Sequence, residues 1–346
     1  MTSSAPAPRL TGARARGTDA SVRAWLDLVR WREWVQSKLL FVAGAAVLLA
    51  PGASFGDVVA ALGTISLWAA FGYASNEIAD RASDARAGRR NRAAALGLGG
   101  GGLLLAAAAG LTLSSCAIWA AGAGGPFAVG AGLALAHAYS QPPLRLKERG
   151  RLGIVAAAAA QWMLPVLAVA GLAFEGLWQP ATWALALLGL AIGIRWMTVH
   201  QMHDRAADRR AGVRTFGAGG ADLELLLHGA FAAEVVLLAL VAVFAWPRSA
   251  APLVAALLWL ALDQRRRPGR APLRVRLRTY GGAPLAELYF LLLPLALTLE
   301  RALASPPFLL LAPAIGLLGS DYVLRFARPQ QRSGDEAVQE GARAQG

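Results

Sequence analysis

Long apolar runs recur along the whole chain, and they constrain its fold more than any other feature. A helix needs about 20 apolar residues to cross a bilayer, and runs of about 15 to 25 residues repeat here. Hydrophobic residues make up 56% of the chain and charged residues 16%, outside the usage of soluble globular proteins. The pattern predicts an all-α integral membrane protein with one helix per run. Ten runs are centred near residues 36–50, 57–75, 94–112, 116–139, 152–172, 180–200, 222–245, 250–262, 283–300 and 306–324.

The basic residues indicate how such a bundle is oriented. Loops on the cytosolic side of a membrane protein are rich in Lys and Arg. With a cytosolic N-terminus, the outer connections hold only Arg248 and Arg301 of the 34 basic residues. We therefore expect a multi-pass protein of the cell (inner) membrane with both termini in the cytosol. The same rule accounts for the net charge of +13, so we expect no nucleic-acid partner, and the sequence indicates no protein partner.

Polar segments at the two ends bound the predicted membrane domain. Residues 1–34 lack an apolar core and are expected to be a cytosolic, partly disordered segment. Residues 35–326 contain all ten runs, and residues 327–346 form a polar tail that we expect to be disordered and cytosolic. An Arg-rich loop, Asp263 to Thr279, is expected to face lipid headgroups.

Two stripes of polar side chains follow apolar runs. Asn76, Asp80 and Asp84 lie at i, i+4 and i+8, so they share one helix face. At the end of the sixth run, His200, Asp204 and Asp208 repeat that spacing. Acidic groups at membrane helix ends are costly unless they are solvated or occupied. Both stripes lie at the inner ends of even-numbered helices, so they face the same side of the membrane.

Facing carboxylate stripes form an oxygen-rich site, and hard oxygen ligands suit Mg²⁺. We expect Mg²⁺ as the cofactor. Neighbouring Arg side chains would neutralise phosphate oxygens that the metal leaves uncovered. An alternative remains open, in which the stripes are solvated helix ends stabilised by ion pairs along each helix.

A third inner segment, Tyr139 to Gly150, reads YSQPPLRLKERG. Its two prolines force an extended turn, and cationic side chains follow directly. Taken together, the three segments resemble the UbiA-type family of membrane prenyltransferases. The first family motif, N-D-x-x-D-x-x-x-D, matches with Glu77 in place of the usual Asp, and the second, D-x-x-x-D, matches Asp204 and Asp208. The third matches Y-S-x-P-P-x-R-L-K-x-R-G almost residue for residue.

The resemblance implies a bundle of nine to ten transmembrane helices around a cytosol-facing polar cavity. It implies Mg²⁺-dependent transfer of a polyprenyl group from a polyprenyl diphosphate to a small acceptor, beside membrane lipid. The expected metal ligands are Asn76, Asp80, Asp84, Asp204 and Asp208. The expected diphosphate contacts are Tyr139, Arg145, Lys147, Arg92 and Lys38, although the Lys38 side chain could instead extend to the membrane interface. Asp80, Asp204 and His200 are the expected catalytic residues, with His200 able to accept the proton that an alkylated acceptor loses.

Several alternatives remain open at the level of sequence. The same fold could transfer a phosphoribosyl group to a polyprenyl phosphate, or cyclise a prenyl chain without an acceptor. A cation-coupled transporter or a membrane scaffold could use acidic stripes for cation coordination, although in transporters such sites commonly lie at broken midplane helices. The acceptor and the length of the prenyl chain do not follow from the sequence.

Overall fold

The computed structural model describes residues 18–86, 88–97, 101–119, 124–172, 174–212, 215–219, 222–266, 276–278 and 284–327. Throughout these ranges the regular structure is helical, which confirms the predicted all-α class. The expected disordered ends fall mostly outside the described residues, as does most of the Arg-rich loop.

Sixteen α-helical segments and three π-helical segments account for most of the described chain. They are α1 (Thr18–Leu28), α2 (Trp31–Trp34), π1 (Val35–Leu39), α3 (Leu40–Leu49), α4 (Phe55–Ala79), α5 (Arg81–Arg86), α6 (Arg92–Ala95), α7 (Gly101–Trp119), α8 (Gly124–Ser140), α9 (Arg151–Ala158), π2 (Ala159–Met163), α10 (Leu164–Ala170), α11 (Pro180–Ala211), α12 (Leu223–Ala245), α13 (Ala251–Arg266), π3 (Leu288–Leu292), α14 (Leu293–Ala304), α15 (Leu311–Leu318) and α16 (Ser320–Ala327). Short 3₁₀ turns cover Leu146–Glu148, Phe174–Trp178 and Pro306–Leu310.

Within the described residues, five helical stretches are long and apolar enough to cross a membrane. They are Phe55–Ala79, Gly101–Trp119, Arg151–Ala170, Pro180–Ala206 and Leu223–Ala245. Two shorter apolar stretches are Ala251–Gln264 and Pro306–Leu318. The chain is therefore a helical protein with several candidate spans, and the expected total of nine to ten stays a prediction.

The third apolar run differs from the expected helix. It was placed near residues 94–112, whereas α6 ends at Ala95, Gly97 adopts a left-handed conformation with φ of 66°, and α7 begins at Gly101. Glycine adopts positive φ at little steric cost, so it interrupts an apolar run that composition alone would keep continuous.

Helix α11 organises the bundle, because it packs along α12 and against α9 and π2. The backbone of α11 approaches α9 and π2 closely. A Cβ atom at Gly193 would lie 2.7 Å from Cδ1 of Trp162 and 2.8 Å from Cα of Ala158. Small residues at membrane helix interfaces allow this kind of backbone approach. The result places α11 directly beside the π2 segment.

Prolines explain two of the three π segments. Pro165 and Pro294 each lie two residues after the end of π2 or π3. Proline has no N–H to donate to the carbonyl four residues earlier, and its ring crowds that carbonyl. A local widening of the helix relieves this conflict, and such widenings are common at functional sites. Segment π1 has no equivalent proline.

Candidate active site

The first acidic stripe lies where α4 ends, and it meets the basic loop after α8. Asn76 Oδ1 accepts hydrogen bonds from Ser140 Oγ at 3.1 Å and from Lys147 Nζ at 3.3 Å. Lys147 Nζ also donates to Asp80 Oδ1, and Arg145 Nη2 lies 3.5 Å from the same oxygen. Two of the predicted metal ligands, Asn76 and Asp80, therefore form one cluster with two of the predicted diphosphate-binding cations, Arg145 and Lys147.

The backbone of the basic loop places its cations. Arg145 has a left-handed conformation with φ of 41°, which is uncommon for a residue with a side chain. Lys147 follows in the 3₁₀ turn and is buried. Burial lowers the pKa of the Lys147 ammonium, while Asp80 beside it acts in the opposite direction. The loop thus holds two cations against one carboxylate.

Asp84, the last residue of the first stripe, faces the second stripe across Arg89. Its Oδ2 accepts from Asn91 Nδ2 at 2.8 Å, and its Oδ1 lies 3.5 Å from Arg89 Nε. Arg89 Nη2 lies 3.6 Å from Asp208 Oδ1 on α11. The two acidic motifs thus approach each other closely enough for one guanidinium to contact both.

The second stripe keeps its expected internal order. His200 Nε2 lies 3.3 Å from Asp204 Oδ2, and both side chains are partly exposed. Asp208 is more buried and accepts a hydrogen bond from Thr215 Oγ1 at 3.1 Å. Burial raises the pKa of the Asp208 carboxyl, and the nearby Asp204 acts in the same direction, whereas the Thr215 hydrogen bond opposes it. A cation placed beside the Asp208 carboxylate would therefore stabilise its charged form.

Glu77 faces away from this cluster. It is 2% exposed and accepts hydrogen bonds from Arg30 Nε and from Arg92 Nη1, both at 2.9 Å. The Arg92 backbone N–H donates to its other oxygen at 3.0 Å. The structure therefore places Arg92 against Glu77, and its expected diphosphate contact stays a prediction.

A cavity of about 560 Å³ opens beside the stripes. Asn76, Tyr139 and His200 line it, as does Lys38 of π1, whose Nζ donates to Tyr73 Oη at 2.5 Å. Its apolar wall includes the indoles of Trp68, Trp162 and Trp196. The ring of Trp162 packs against those of Phe41, Trp196 and Phe290 with centroids 5.6 to 5.9 Å apart. The cavity thus joins a polar region to an aromatic interior.

The donor chemistry of the two stripes fits Mg²⁺, since every expected ligand supplies a carboxylate or amide oxygen. Across the part of the chain that the structure describes, no three acidic, His or Cys side chains already form a metal-binding group. Cationic side chains lie between the oxygens instead, Lys147 at Asp80 and Arg89 between Asp84 and Asp208. Lys147 therefore offsets the negative charge of Asp80, and Arg89 offsets those of Asp84 and Asp208.

Three residues of the site were missed by sequence reasoning. Arg89 and Asn91 lie in the loop after α5, where they resemble any basic or polar loop residue. Arg30 lies 47 residues from its partner Glu77, and its left-handed backbone with φ of 49° has no sequence signal. For Asn91 a signal existed, because it caps α6 through its side chain.

Comparisons with known proteins identify the family and the fold of the chain. The profile of the UbiA prenyltransferase family matches residues 39–280. No curated protein matches the chain. A solved UbiA homolog from Archaeoglobus fulgidus superposes with a TM-score of 0.53 at 18% identity, covering 87% of this chain and 99% of the homolog.

Two further structures of a UbiA homolog from that organism contain ligands. One, bound to GPP and Mg²⁺, has the same TM-score of 0.53, identity of 18%, and coverage of 87% and 99%. The other, bound to DMAPP and Mg²⁺, has a TM-score of 0.52 at 17% identity and covers 88% of this chain and 97% of that protein. At these identities the likeness shows the fold.

Proposed function

The chain belongs to the UbiA prenyltransferase family, and on that premise we propose that it transfers a polyprenyl group from a polyprenyl diphosphate to a small acceptor. The observation that carries this proposal is the cluster of Asn76, Asp80, Arg145 and Lys147 beside an aromatic-walled cavity. A charged diphosphate suits the cluster, and an isoprenoid tail suits the apolar wall. The homologs bound to GPP or to DMAPP with Mg²⁺ support a prenyl diphosphate as the donor.

In this proposal the residues that would hold Mg²⁺ are Asn76, Asp80, Asp84, Asp204 and Asp208. When bound, Mg²⁺ supplies positive charge that offsets the charge of the diphosphate. Lys147 and Arg145 release part of their contact with Asp80 and donate to diphosphate oxygens. Those contacts strengthen as negative charge develops on the leaving group, so they favour the transition state over the ground state.

The proposed reaction breaks the bond between C1 of the prenyl group and the diphosphate oxygen. The electron pair of that bond leaves with the diphosphate, and a nucleophilic atom of the acceptor supplies the pair that forms the new bond to C1. His200 accepts the proton that the acceptor then loses. Asp204, 3.3 Å from His200 Nε2, orients the imidazole and stabilises its protonated form.

The proposed location of the reaction is the cytosolic side of the cell membrane. The acidic end of α4 contacts the basic loop after α8, and the acidic end of α11 contacts Arg89 in the loop after α5. Positively charged loops favour the cytosol. The prenyl chain would then reach from the site toward the lipid-embedded part of the bundle.

Purified protein in lipid nanodiscs provides the test. We expect pyrophosphate release from geranyl, farnesyl or longer prenyl diphosphates to require both Mg²⁺ and a pooled acceptor. Asp80→Asn and Asp204→Asn should each reduce the release at least about a hundredfold, because each removes a metal ligand. Asp57→Asn is a matched control, since Asp57 caps the opposite end of α4.

Other outcomes would redirect the assignment. Release that needs Mg²⁺ but no acceptor would indicate cyclisation or hydrolysis of the prenyl chain. If wild-type protein consumes no prenyl diphosphate, prenyl transfer is refuted, and phosphoribosyl diphosphate with polyprenyl phosphate becomes the next substrate pair to test. Cation flux in sealed vesicles would test the non-enzymatic alternative.

A further inference from the structure

Helices α4 and α8 pack in parallel register along one wall of the cavity. At the polar end, Asn76 Oδ1 accepts a hydrogen bond from Ser140 Oγ, 64 positions later in the chain. One step of four residues deeper on each helix, a Cβ atom at Gly72 would lie 3.7 Å from Cβ of Ala136. Both small residues line the cavity. The wall between the two helices is therefore thin at this level and leaves room for a ligand.

The next pair in this register, Trp68 and Gly132, closes the wall. Trp68 lines the cavity and is 3% exposed. A Cβ atom at Gly132 would overlap Cζ2 and Cη2 of its indole. The ring therefore occupies the space that a side chain at residue 132 would need, and it packs directly against the backbone of α8. Trp68 thus fills the gap between α4 and α8 and bounds the cavity on that side.

The depth of the cavity can be compared with the length of a prenyl chain. Along α4 the lining extends from Asn76, at the polar cluster, to Ile65, which is about 16 Å at a rise of about 1.5 Å per residue. Trp68 lies about 12 Å from Asn76 on this scale. An extended carbon chain advances about 1.2 Å per bond, so an isoprene unit of four bonds adds about 5 Å. Three units therefore fill the depth of the cavity, and a fourth exceeds it.

The two indoles of the apolar wall differ in what lies behind them. Trp162 is 1% exposed, and its ring packs against those of Phe41 and Trp196 with centroids 5.9 and 5.6 Å away. Behind the Trp68 indole lies Gly132, which has no side chain. Removal of the Trp68 indole would therefore extend the cavity as far as the backbone of α8.

We propose that Trp68, packed against Gly132, limits the prenyl donor to three isoprene units, so that farnesyl diphosphate is the longest donor the cavity holds. This inference rests on the proposed prenyl transfer. Each further unit of the chain strengthens binding by the hydrophobic effect only while it is buried inside the protein. A fourth unit meets the Trp68 indole, and a closely packed wall yields to such an insertion only at a cost.

Binding of donor analogues of three lengths tests the proposal. Geranyl, farnesyl and geranylgeranyl thiodiphosphate are titrated calorimetrically with Mg²⁺ into protein in nanodiscs, and empty nanodiscs are subtracted. Wild type should bind the farnesyl analogue about tenfold more tightly than the geranyl analogue and gain nothing further from the geranylgeranyl analogue. In Trp68→Ala, the affinity for the geranylgeranyl analogue relative to the farnesyl analogue should rise about tenfold or more over wild type. Comparison of these ratios cancels partition of the analogues into lipid.

A second buried indole gives the matched control. Trp119 of α7 is 5% exposed, and its Nε1 donates to Thr64 Oγ1 on α4 at 2.8 Å, one turn from Trp68. Trp119→Ala removes a side chain of the same size from the α4–α7 interface rather than from the cavity wall. We expect it to leave the ratio between the farnesyl and geranylgeranyl analogues at the wild-type value.

Gly132→Ala tests the same contact from the side of α8. Its new Cβ would push the indole into the cavity, so the farnesyl analogue should lose about tenfold in affinity relative to the geranyl analogue. In the Trp68→Ala background the added Cβ has room, so the double variant should recover binding of the farnesyl analogue. Gly130→Ala is the control on the same helix, because apart from its chain neighbours and the backbone of its own helix, no atom lies within 4 Å of where its Cβ would be.

The limit is overturned if wild type binds the geranylgeranyl analogue more tightly than the farnesyl analogue, or if Trp68→Ala keeps the wild-type ratio. If Trp68→Ala does not fold, Gly132→Ala decides alone, and unchanged discrimination between the geranyl and farnesyl analogues overturns the limit. Wild-type binding that is independent of chain length would refute the limit and leave the prenyl donor in place. Absence of Mg²⁺-dependent binding of all three analogues would refute the prenyl donor and the limit with it.

Discussion

Glu77 occupies a position where the family motif has Asp, yet its side chain binds two arginines rather than the acidic cluster. Glu77→Gln should therefore leave Arg30 and Arg92 without their shared charge partner. We expect a loss of about 2 kcal/mol of stability, reduced from the full value for a buried pair because both arginines are partly exposed. Thermal unfolding in detergent measures this loss.

The affinity for Mg²⁺ distinguishes this role from metal ligation. Titration in the presence of farnesyl thiodiphosphate should give Glu77→Gln an affinity close to that of wild type, and Asp80→Asn a much weaker one. Equal weakening in both variants would mean that Glu77 ligates the metal.

A second buried acid, Glu234 on α12, pairs with Arg195 on α11, and neither side chain is exposed. Nε of Arg195 donates to Oε1 at 2.5 Å, and Nη2 donates to Oε2 at 3.3 Å. Glu234→Gln should cost about 3 to 5 kcal/mol because it leaves a buried cation unpaired. The double variant Arg195→Leu and Glu234→Leu should lose less than Glu234→Gln alone. Melting temperatures of the variants test this, and a larger loss in the double variant would contradict it.

At the scale of elements, the contact between α11 and the α9–π2 segment depends on the absence of a side chain at Gly193. Gly193→Ala would place Cβ against the backbone of Ala158 and force the helices apart. We expect destabilisation of about 1 to 3 kcal/mol, together with weaker binding of the prenyl diphosphate analogue because the adjacent Trp162 lines the cavity.

A glycine in open surroundings gives the matched control. Gly229 lies within α12, and apart from its chain neighbours and the backbone of its own helix, no atom lies within 4 Å of where its Cβ would be. Gly229→Ala should therefore leave the melting temperature unchanged or raise it, since Ala favours helix by up to about 1 kcal/mol. If both variants behaved alike, close packing at Gly193 would not be the cause.

Across the whole molecule, the two acidic motifs come from helices far apart in sequence, and Arg89 links them at present. A bound diphosphate with Mg²⁺ should join them more strongly. At a hundred times its Kd the ligand should stabilise the fold by about 2.7 kcal/mol. Thermal unfolding with farnesyl thiodiphosphate plus Mg²⁺ should show this shift, and either component alone should give much less. A shift of the same size in Asp208→Asn would contradict the bridging role.

The orientation in the membrane can be tested because the chain has a single cysteine, Cys116, which is buried. In a Cys116→Ser background, Arg23→Cys and Trp178→Cys introduce thiols at exposed positions near opposite ends of the bundle. An impermeant maleimide added to intact cells should label the second and spare the first. The reverse pattern would place the acidic site outside the cytosol.

The sequence predicted those features that depend on short-range periodicity. Apolar runs predicted the helical class, and the i, i+4, i+8 spacing predicted the single face shared by Asn76 and Asp80. The π segments that precede Pro165 and Pro294 were not predicted from the sequence. The third run was misplaced because Gly97 breaks it. These properties depend on residues within a few turns of each other, so local chain geometry determines them.

Only the tertiary structure decided which side chains meet. Glu77 binds Arg30 across 47 residues, Lys147 reaches Asp80 across 67, and Arg89 joins Asp84 to Asp208. Periodicity determines the face of a helix on which a residue lies, but the packing of distant helices determines what that face contacts. For the same reason, the sequence indicated Lys38 as a candidate site residue, whereas its hydrogen bond to Tyr73 follows only from the packing of π1 against α4.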